Sequence, residues 1–253
     1  MEKMYKILVE RGGEYLSPFK RFNYGRLEEF IGKEMSTNCS MSDDDCDSGF
    51  YATPLQGLVY TNLARKGSTV FEVEMGGINK KFNEFKHRFT TQKFLRIVPI
   101  EELKELVIKV NVGYDLYHAL WPVNPLDILN DPSDEDWKEL DKWDYVRGYV
   151  SDSVRVSVED YVSDSVWDSV RDSVRDSVGG YVWDSVWKSV WGSVRAYVGS
   201  LFHPIKWKHI EHEEGVYPFQ SAVNLWNRGF IPVKVEGKWG LYSSKLKKII
   251  YND

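Results

Sequence analysis

The sequence predicts an α+β N-terminal domain followed by a tetrapeptide-repeat array, which we interpret as a four-sided β-solenoid with sixteen residues per coil and helical caps. Valine occupies every fourth position from Val146 to Val198, fourteen times without an insertion. Ahead of this tract, short segments of alternating apolar residues surround a proline-capped helical segment. A helical array is the alternative structure for the repeat.

The N-terminal domain is expected to span residues 1–112. Strands are predicted over residues 5–10, 70–75, 94–98 and 106–112, with a short acidic helix from Glu101 between the last two. In the second strand, Phe71, Val73 and Met75 share one face, and two glutamates lie on the other. Thr53 and Pro54 form an N-cap and a first helical position, so a helix is expected to follow them.

The repeat disfavours one continuous helix. A residue at every fourth position of an α-helix drifts by about 40° per repeat, so fourteen valines would wind around the rod. Ser, Asp, Val and Gly also have middling or poor helix propensity. Helical hairpins would remove the drift, but their loops are expected to interrupt the phase, and no proline lies between Pro132 and Pro204. The solenoid instead places valine inward, Ser/Tyr and Trp/Arg outward, and Asp near each corner.

A sixteen-residue coil predicts that related positions recur at sixteen. Trp167 and Trp183 are sixteen apart. Five tyrosines replace the serine before valine, and all fall in two of the four columns: Tyr145, Tyr149, Tyr161, Tyr181 and Tyr197. We therefore expect ladders of stacked tyrosines along the solenoid.

Three further segments complete the predicted organisation. Residues 113–145 form a connector and a capping helix that begins after Ser133, and residues 146–202 form the array. Residues 203–253 form a C-terminal cap with a helix over 219–228 and a small meander over 231–251. The meander is expected to turn at Glu236-Gly237 and Ser243-Ser244.

Composition excludes some classes of function. The net charge is −5, and the repeat carries eight acidic and six basic residues, so no basic field for nucleic acid is expected. The apolar runs are too short to span a bilayer, and no signal peptide is evident, which predicts a cytoplasmic protein without a membrane partner. We expect no metal centre, because the Asp and His clusters lack complete ligand sets.

The variable repeat position suggests a binding surface. Tryptophan and arginine are typical of protein interfaces, because they bury a large area and keep a polar handle. The predicted binding residues are Trp167, Trp183, Trp187, Trp191, Arg171 and Arg175. We expect a non-catalytic protein without a cofactor that binds a protein partner, with a second copy of the chain as another candidate partner.

The chain resembles a group of uncharacterised bacterial and bacteriophage proteins. The likeness lies in the Asp-Ser-Val-Trp units ending in AYVGSLF (196–202), then YPFQ (217–220) and Leu225-Trp226, and in GFYAT (49–53) with VFEVE (70–74). This resemblance implies a phage or bacterial setting, and a host factor is then a candidate partner.

A more distant resemblance gives an alternative function. The GFYAT strand end, the helix after it and the next strand are similar to elements of ADP-ribosyltransferase-like domains, which bind NAD. The resemblance implies that Tyr51 and Thr53 would help to hold the nicotinamide. Glu72 and Glu74 match a Glu-x-Glu pattern, but they come too early in the chain. The alternative predicts that Tyr51 opens into a pocket that also holds a glutamate.

Overall fold

A computed structural model of the protein describes residues 3–18, 22–37, 49–61, 68–81, 87–110, 112–159, 164–178, 187–204 and 206–252. The chain is an α+β protein that divides into two units, Met1–Val112 and Gly113–Asp253.

The first unit is built on a seven-stranded antiparallel sheet with two short helices. Its elements are β1 (Met4–Arg11), β2 (Glu14–Leu16), β3 (Asn23–Gly25), α1 (Leu27–Phe30), β4 (Glu34–Ser36), β5 (Phe50–Ala52), a 3₁₀ helix (Leu55–Thr61), β6 (Ser68–Lys81), β7 (His87–Ile97) and α2 (Ile100–Ile108). The strand order is β3-β2-β1-β6-β7-β4, and β5 also pairs with β7.

The sheet is curled into a half-barrel. The β6–β7 register shifts between Glu72 and Val73 and again after Gly76, and such bulges increase local twist and bending. Gly77 has φ +74°, and a Cβ there would meet the Thr90 side chain, so only glycine fits this bend. Thr53 pairs with Tyr5 through two backbone hydrogen bonds of 2.7 and 3.0 Å, so the chain after β5 also reaches β1.

An aromatic cluster fills one face of this sheet. Phe30, Phe71 and Phe94 are buried and meet edge to face, with ring centroids 4.7–5.7 Å apart. Phe71 and Val73 both belong to this core, as the alternation over residues 70–75 predicts. The burial of this face accounts for the strongest periodic signal in the first unit.

Three of the four predicted strands are confirmed, because β1 and β6 cover residues 5–10 and 70–75, and β7 covers 94–97 of the strand predicted over 94–98. The strand predicted over 106–112 is wrong. Helix α2 continues to Ile108, with Leu103 and Val107 buried four residues apart on one face. The apolar run 106–108 is too short to distinguish a strand from the last turn of a helix by periodicity.

The second unit contains six helices in its described parts and a three-stranded antiparallel sheet. The helices are α3 (Leu116–Leu120), α4 (Asp134–Val146), α5 (Val150–Glu159), α6 (Asp164–Val178), α7 (Trp187–Ser200) and α8 (Gln220–Asn227), with short 3₁₀ turns at Pro125–Asp127 and Arg147–Tyr149. The sheet has the order β10-β9-β8, formed by β8 (Phe230–Val235), β9 (Lys238–Ser243) and β10 (Lys248–Ile250). Helix α7 packs against α5, α6, α8 and β8.

The predicted β-solenoid is wrong, because α5, α6 and α7 are helices and no stacked coils are present in the described parts of the repeat. In α5 to α7 the register valines whose side chains are described are buried, and in α5 and α7 so are several of the residues before a valine. The buried stripe of α5 includes Val150, Ser153, Val154, Ser157 and Val158, and that of α7 includes Val190, Ser193, Val194, Tyr197 and Val198. These positions follow the i, i+3, i+4, i+7, i+8 spacing of an amphipathic helix.

The drift argument fails because the helices are short. Three valines at successive fourth positions drift by about 80° in total, which fits within the apolar stripe of one helix. The weak helix propensity of Ser and Val costs only about 0.5 kcal/mol per residue, and burial of the stripe outweighs it. Helix α7 also packs against α8 and β8 within the same unit, so a separate repeat array is not supported.

Tyrosine ladders are absent from the described helices. Tyr197 of α7 is buried and stacks on Trp226 of α8, with ring centroids 5.1 Å apart, whereas Tyr149 is exposed before α5. Tyr161 and Tyr181 lie outside the described residues. The exposed Tyr149 and the buried Tyr197 therefore do not share one surface column.

The C-terminal elements agree closely with those predicted from the sequence. Helix α8 lies within the predicted segment 219–228, and β8 to β10 form the predicted meander. Glu236 and Gly237 have φ of 50° and 85°, as a two-residue hairpin turn of the primed type requires.

Candidate functional site

An open cleft of about 560 Å³ lies beside the first turns of α5. It is lined by Gly148, Tyr149, Asp152, Arg155, Val156 and His209, and we refer to it as the α5 cleft. Tyr149 is 50% exposed, and Asp152, Arg155 and His209 are also exposed. The cleft thus combines an aromatic ring, hydrogen-bond donors and a carboxylate on one open surface.

Helix α5 forms one wall of the cleft, and its register decides which side chains face it. Val150 and Val154 are buried, so Asp152 and Arg155, which lie off the buried side of the helix, turn outward. Asp152 occupies the aspartate position of its tetrapeptide and Arg155 the variable position. Val156 stands where the next tetrapeptide would have aspartate, and it is half-buried. This substitution gives the cleft an apolar patch between charged neighbours.

A loop after α7 forms the opposite wall. The backbone N–H of Lys208 donates to Ser157 Oγ at 2.8 Å, which ties the loop to α5. Trp207 is buried, and its backbone N–H donates to His212 Nε2 at 2.8 Å. His209 lies in this tied loop with φ +63°, a conformation uncommon for a residue with a side chain. The loop therefore holds His209 at the cleft through contacts on both sides of it.

The predicted Trp/Arg surface does not form as columns. Trp167 is buried and packs on Phe202, with ring centroids 6.1 Å apart, so its prediction as an exposed binding residue is wrong. The indole lies on the buried side of α6, three and seven residues before buried Val170 and Val174, and the four-residue period turns Arg171 and Arg175 away from that side. Trp183 lies outside the described residues, and Trp187 begins α7 with a side chain outside the described part.

Arg171, Arg175 and Trp191 retain partial exposure. Arg171 forms an ion pair with Asp168 at 2.8 Å, and both arginines lie 3.3 Å from the Asp172 carboxylate. These pairs lie along α6 at helical spacing. Trp191 of α7 is half-buried beneath the Arg195 guanidinium, 5.9 Å from the ring centroid. Arg195 also donates a hydrogen bond to Ser151, so this pair lies next to α5.

Tyr51 and Thr53 lie in the first unit, at the seam between β5 and β1. The Tyr51 carbonyl accepts a hydrogen bond from Lys6 Nζ at 2.9 Å, and Tyr51 itself is half-buried. Thr53 is buried, and its hydroxyl donates to the Pro54 carbonyl at 3.1 Å. In register, Tyr5 of β1 lies between Thr53 and Glu72. This arrangement joins strands and does not form an open nucleotide recess at Thr53.

The glutamate of the Glu-x-Glu pattern is engaged by two cations. Glu72 bonds to Arg96 at 2.7 Å and to Lys3 at 3.1 Å, and Arg96 also binds Glu102 at 2.6 Å. Burial alone would raise the pKa of Glu72, but the hydrogen bonds from Arg96 and Lys3 outweigh it and lower the pKa. Glu74 is exposed and lies opposite Lys93. Glu72 is thus held in an ion-pair network instead of facing an open recess.

Two polar groups were missed from the sequence. Lys6 is buried among aromatic rings and also donates to Gln92 Oε1 at 3.1 Å. Its position between Met4 and Leu8 on one face of β1 is the signal for burial. Asp115 and His118 form a 2.6 Å hydrogen bond at the start of α3. The spacing of three residues permits this pair, but only the fold brings the end of α7 beside it.

Within the described residues, no three metal-type ligands come together, and no helix is long and apolar enough to cross a membrane. The acidic segment around Asp43, Asp45 and Asp47 lies outside the described residues. Comparisons with protein-family models, curated proteins and solved structures found no match. The assignment of the candidate site therefore depends on the geometry of this chain alone.

Proposed function

We propose that the protein is a non-catalytic binding protein that holds a protein partner at the α5 cleft. The observation that supports this proposal is the convergence of Tyr149, Asp152 and Arg155 from the repeat with His209 from the tied loop. Tyrosine and arginine are enriched among the residues that dominate protein interfaces. The binding surface is therefore the outer face of α5, in place of the tryptophan columns expected from the sequence.

The openness of the cleft favours a macromolecular partner over a small molecule. Small-molecule sites are concave and mostly apolar, and they bury most of their ligand. Here Tyr149 is 50% exposed, and Val156 is the apolar side chain among the residues lining the cleft. A protein partner can cover such a surface and bury the tyrosine ring, which the cleft alone leaves in water.

The NAD-using alternative has weaker support. Glu72 is held by Arg96 and Lys3, so a ribose hydroxyl would have to displace a charge-assisted pair to reach it. Thr53 is buried in the seam between β5 and β1. The proposal accordingly includes no cofactor.

The proposal also includes the source of the partner and the compartment in which binding occurs. The resemblance to bacterial and phage sequences supports a host factor as the partner, with binding in the cytoplasm. The mixed charge of the repeat argues for a protein partner in place of nucleic acid.

The test is capture of a partner by the tagged full-length chain, followed by titration of the recovered protein. We expect Tyr149→Ala to weaken binding by about thirty-fold, which corresponds to about 2 kcal/mol for a central interface aromatic. Tyr145→Ala is the matched control, because Tyr145 is 84% exposed one helical turn earlier and does not line the cleft. Circular dichroism of both variants checks that the helices remain.

Equal binding by the wild type and Tyr149→Ala would contradict the proposal, as would failure to recover any protein. A calorimetric titration with NAD examines the alternative directly. Heat of binding that disappears in Tyr51→Ala would favour the NAD-using enzyme.

A further inference from the structure

A partly exposed carboxylate–imidazole pair lies where α3 meets the end of α7. His118 Nδ1 lies 2.6 Å from Asp115 Oδ2, and because an ionised carboxylate can only accept, Nδ1 is the donor. The other carboxylate oxygen accepts the backbone N–H of His118 at 2.9 Å. Asp115 therefore caps α3 and orients the imidazole with one side chain.

The same aspartate connects α3 to the chain after α7. Its backbone N–H donates to the Leu201 carbonyl at 2.7 Å. Tyr114, the preceding residue, pairs with Phe202, with ring centroids 5.5 Å apart, and Phe202 also contacts Trp167 of α6. A change in the strength of the Asp115 interactions would thus affect the packing of α3 against α6 and the end of α7.

We propose that Asp115 and His118 form a pH-sensitive latch, which holds the start of α3 against the end of α7 most tightly when His118 is protonated. Protonation turns a hydrogen bond between a neutral ring and a carboxylate into a charge-assisted one, which is stronger. Loss of the proton keeps the capping geometry but removes the attraction between the charges. The latch therefore weakens while both side chains keep their positions.

Among the described residues, few ionisable groups face this pair. On α3 itself, the Tyr117 ring meets the His118 ring edge to face, with centroids 5.1 Å apart. From α7 and the segment after it, Tyr197 and His203 lie near enough to Asp115 to interact electrostatically. Helix α6 also packs against α3, and its described charged residues form ion pairs along that helix: Asp168, Arg171, Asp172 and Arg175. Asp115 is thus the direct charge partner of His118, and His203 is the group to test as a second contributor.

The direction of the pH dependence follows from the pKa shifts of both partners. The hydrogen bond that His118 donates to Asp115 raises the pKa of His118 above its ordinary value of about 6.5, so the contribution of His118 is complete below that pH and is lost as the pH rises through the raised value. Burial would raise the pKa of Asp115, but the His118 hydrogen bonds lower it. The aspartate contribution is therefore present above about pH 4 and lost only in stronger acid. The latch is tightest between these limits.

The test is amide hydrogen exchange of the full-length chain at pH 5.5 and 8.5, with rates corrected for the intrinsic effect of pH. We expect protection of the α3 amides to fall about two- to five-fold at the higher pH, as suits a partly exposed ion pair. His118→Gln removes the titrating group and should abolish this fall. His203→Gln is the control and should retain it, and 1 M salt should reduce it in the wild type.

A second measurement is the NMR titration of His118 in the wild type and in Asp115→Asn, whose side chain can still cap α3. We expect the pKa of His118 to be lower in the variant, because the charged partner is gone. Any of the following results would overturn the latch: unchanged protection in the wild type between the two pH values, an equal fall in His118→Gln, or an equal His118 pKa in Asp115→Asn. Loss of the fall in His203→Gln would assign the switch to His203 and would also overturn it.

Discussion

Asp136 is the buried charge on which the junction of α4 and α8 depends. It is 1% exposed, and Oδ2 accepts hydrogen bonds from the backbone N–H and the hydroxyl of Ser133, both at 2.8 Å. Arg228 approaches from the C-terminal end of α8, with Nε 2.5 Å from Oδ1 and Nη2 3.0 Å from Oδ2. One carboxylate therefore organises the first turn of α4 and joins it to a residue ninety-two positions away.

The substitution Asp136→Ala should destabilise the protein by about 2.5 kcal/mol. Loss of the capping interaction costs about 1 kcal/mol. Loss of the Arg228 pair costs about 2 kcal/mol, below the range for a fully buried pair, because the Arg228 side chain is 43% exposed and regains water. The higher helix propensity of alanine returns about 0.5 kcal/mol. At about 3 °C per kcal/mol, the melting temperature should fall by about 8 °C.

Urea denaturation followed by circular dichroism measures this loss. Asp134→Ala is the matched control, since Asp134 is an exposed carboxylate in the same first turn, and it should cost less than about 1 kcal/mol. A double-mutant cycle with Arg228→Met isolates the pair, and a coupling of about 2 kcal/mol is expected. Coupling below about 0.5 kcal/mol, with equal losses in the two aspartate variants, would refute the reasoning.

Two other pairs of variants test the packing of the second unit by urea denaturation. Val154→Ala should cost about 2 kcal/mol because Val154 is fully buried, and half-buried Val156→Ala should cost less than half as much; similar losses would contradict the helical stripe. Gly229→Ala should cost about 3 kcal/mol or more, since φ is +85° and a Cβ would lie 2.3 Å from the Ile128 carbonyl oxygen. Gly237→Ala, with the same φ and open space, should cost about 1 kcal/mol, and equal losses would exclude the steric clash.

The N-terminal strands and the C-terminal meander were predictable because their signals are local. Strand alternation depends on neighbours two residues apart, and the Glu236-Gly237 turn depends on two adjacent residues that tolerate positive φ. The capped start of α4 after Ser133 was equally predictable from the sequence, since an N-cap acts within one turn. The strand expected over 106–112 failed because a short apolar run has no period long enough to identify it.

The candidate site was less predictable. The variable repeat positions were expected to share one outward face, yet Trp167 is buried while Arg155 is exposed at the same place in its tetrapeptide. Within α6, a period of four drifts against 3.6 residues per turn, so Arg171 and Arg175 turn away from the buried side on which Trp167 lies. Arg155 belongs to α5, which has different neighbours. The opposite wall, with His209, comes from a loop more than fifty residues away, and no local pattern predicts that contact.

The sequence by itself determined that the register valines with described side chains in α5 to α7 point inward, because burial of an apolar side chain is favourable in a helix and in a solenoid alike. It did not determine which backbone carries those valines. That choice depended on where the chain breaks into helices of 10–15 residues and on the elements that cover the resulting stripes, which for α7 include α5, α8 and β8. Secondary-structure preferences differ by a few tenths of a kcal/mol per residue, whereas a buried side chain contributes one or more, so tertiary packing decided the fold of the repeat.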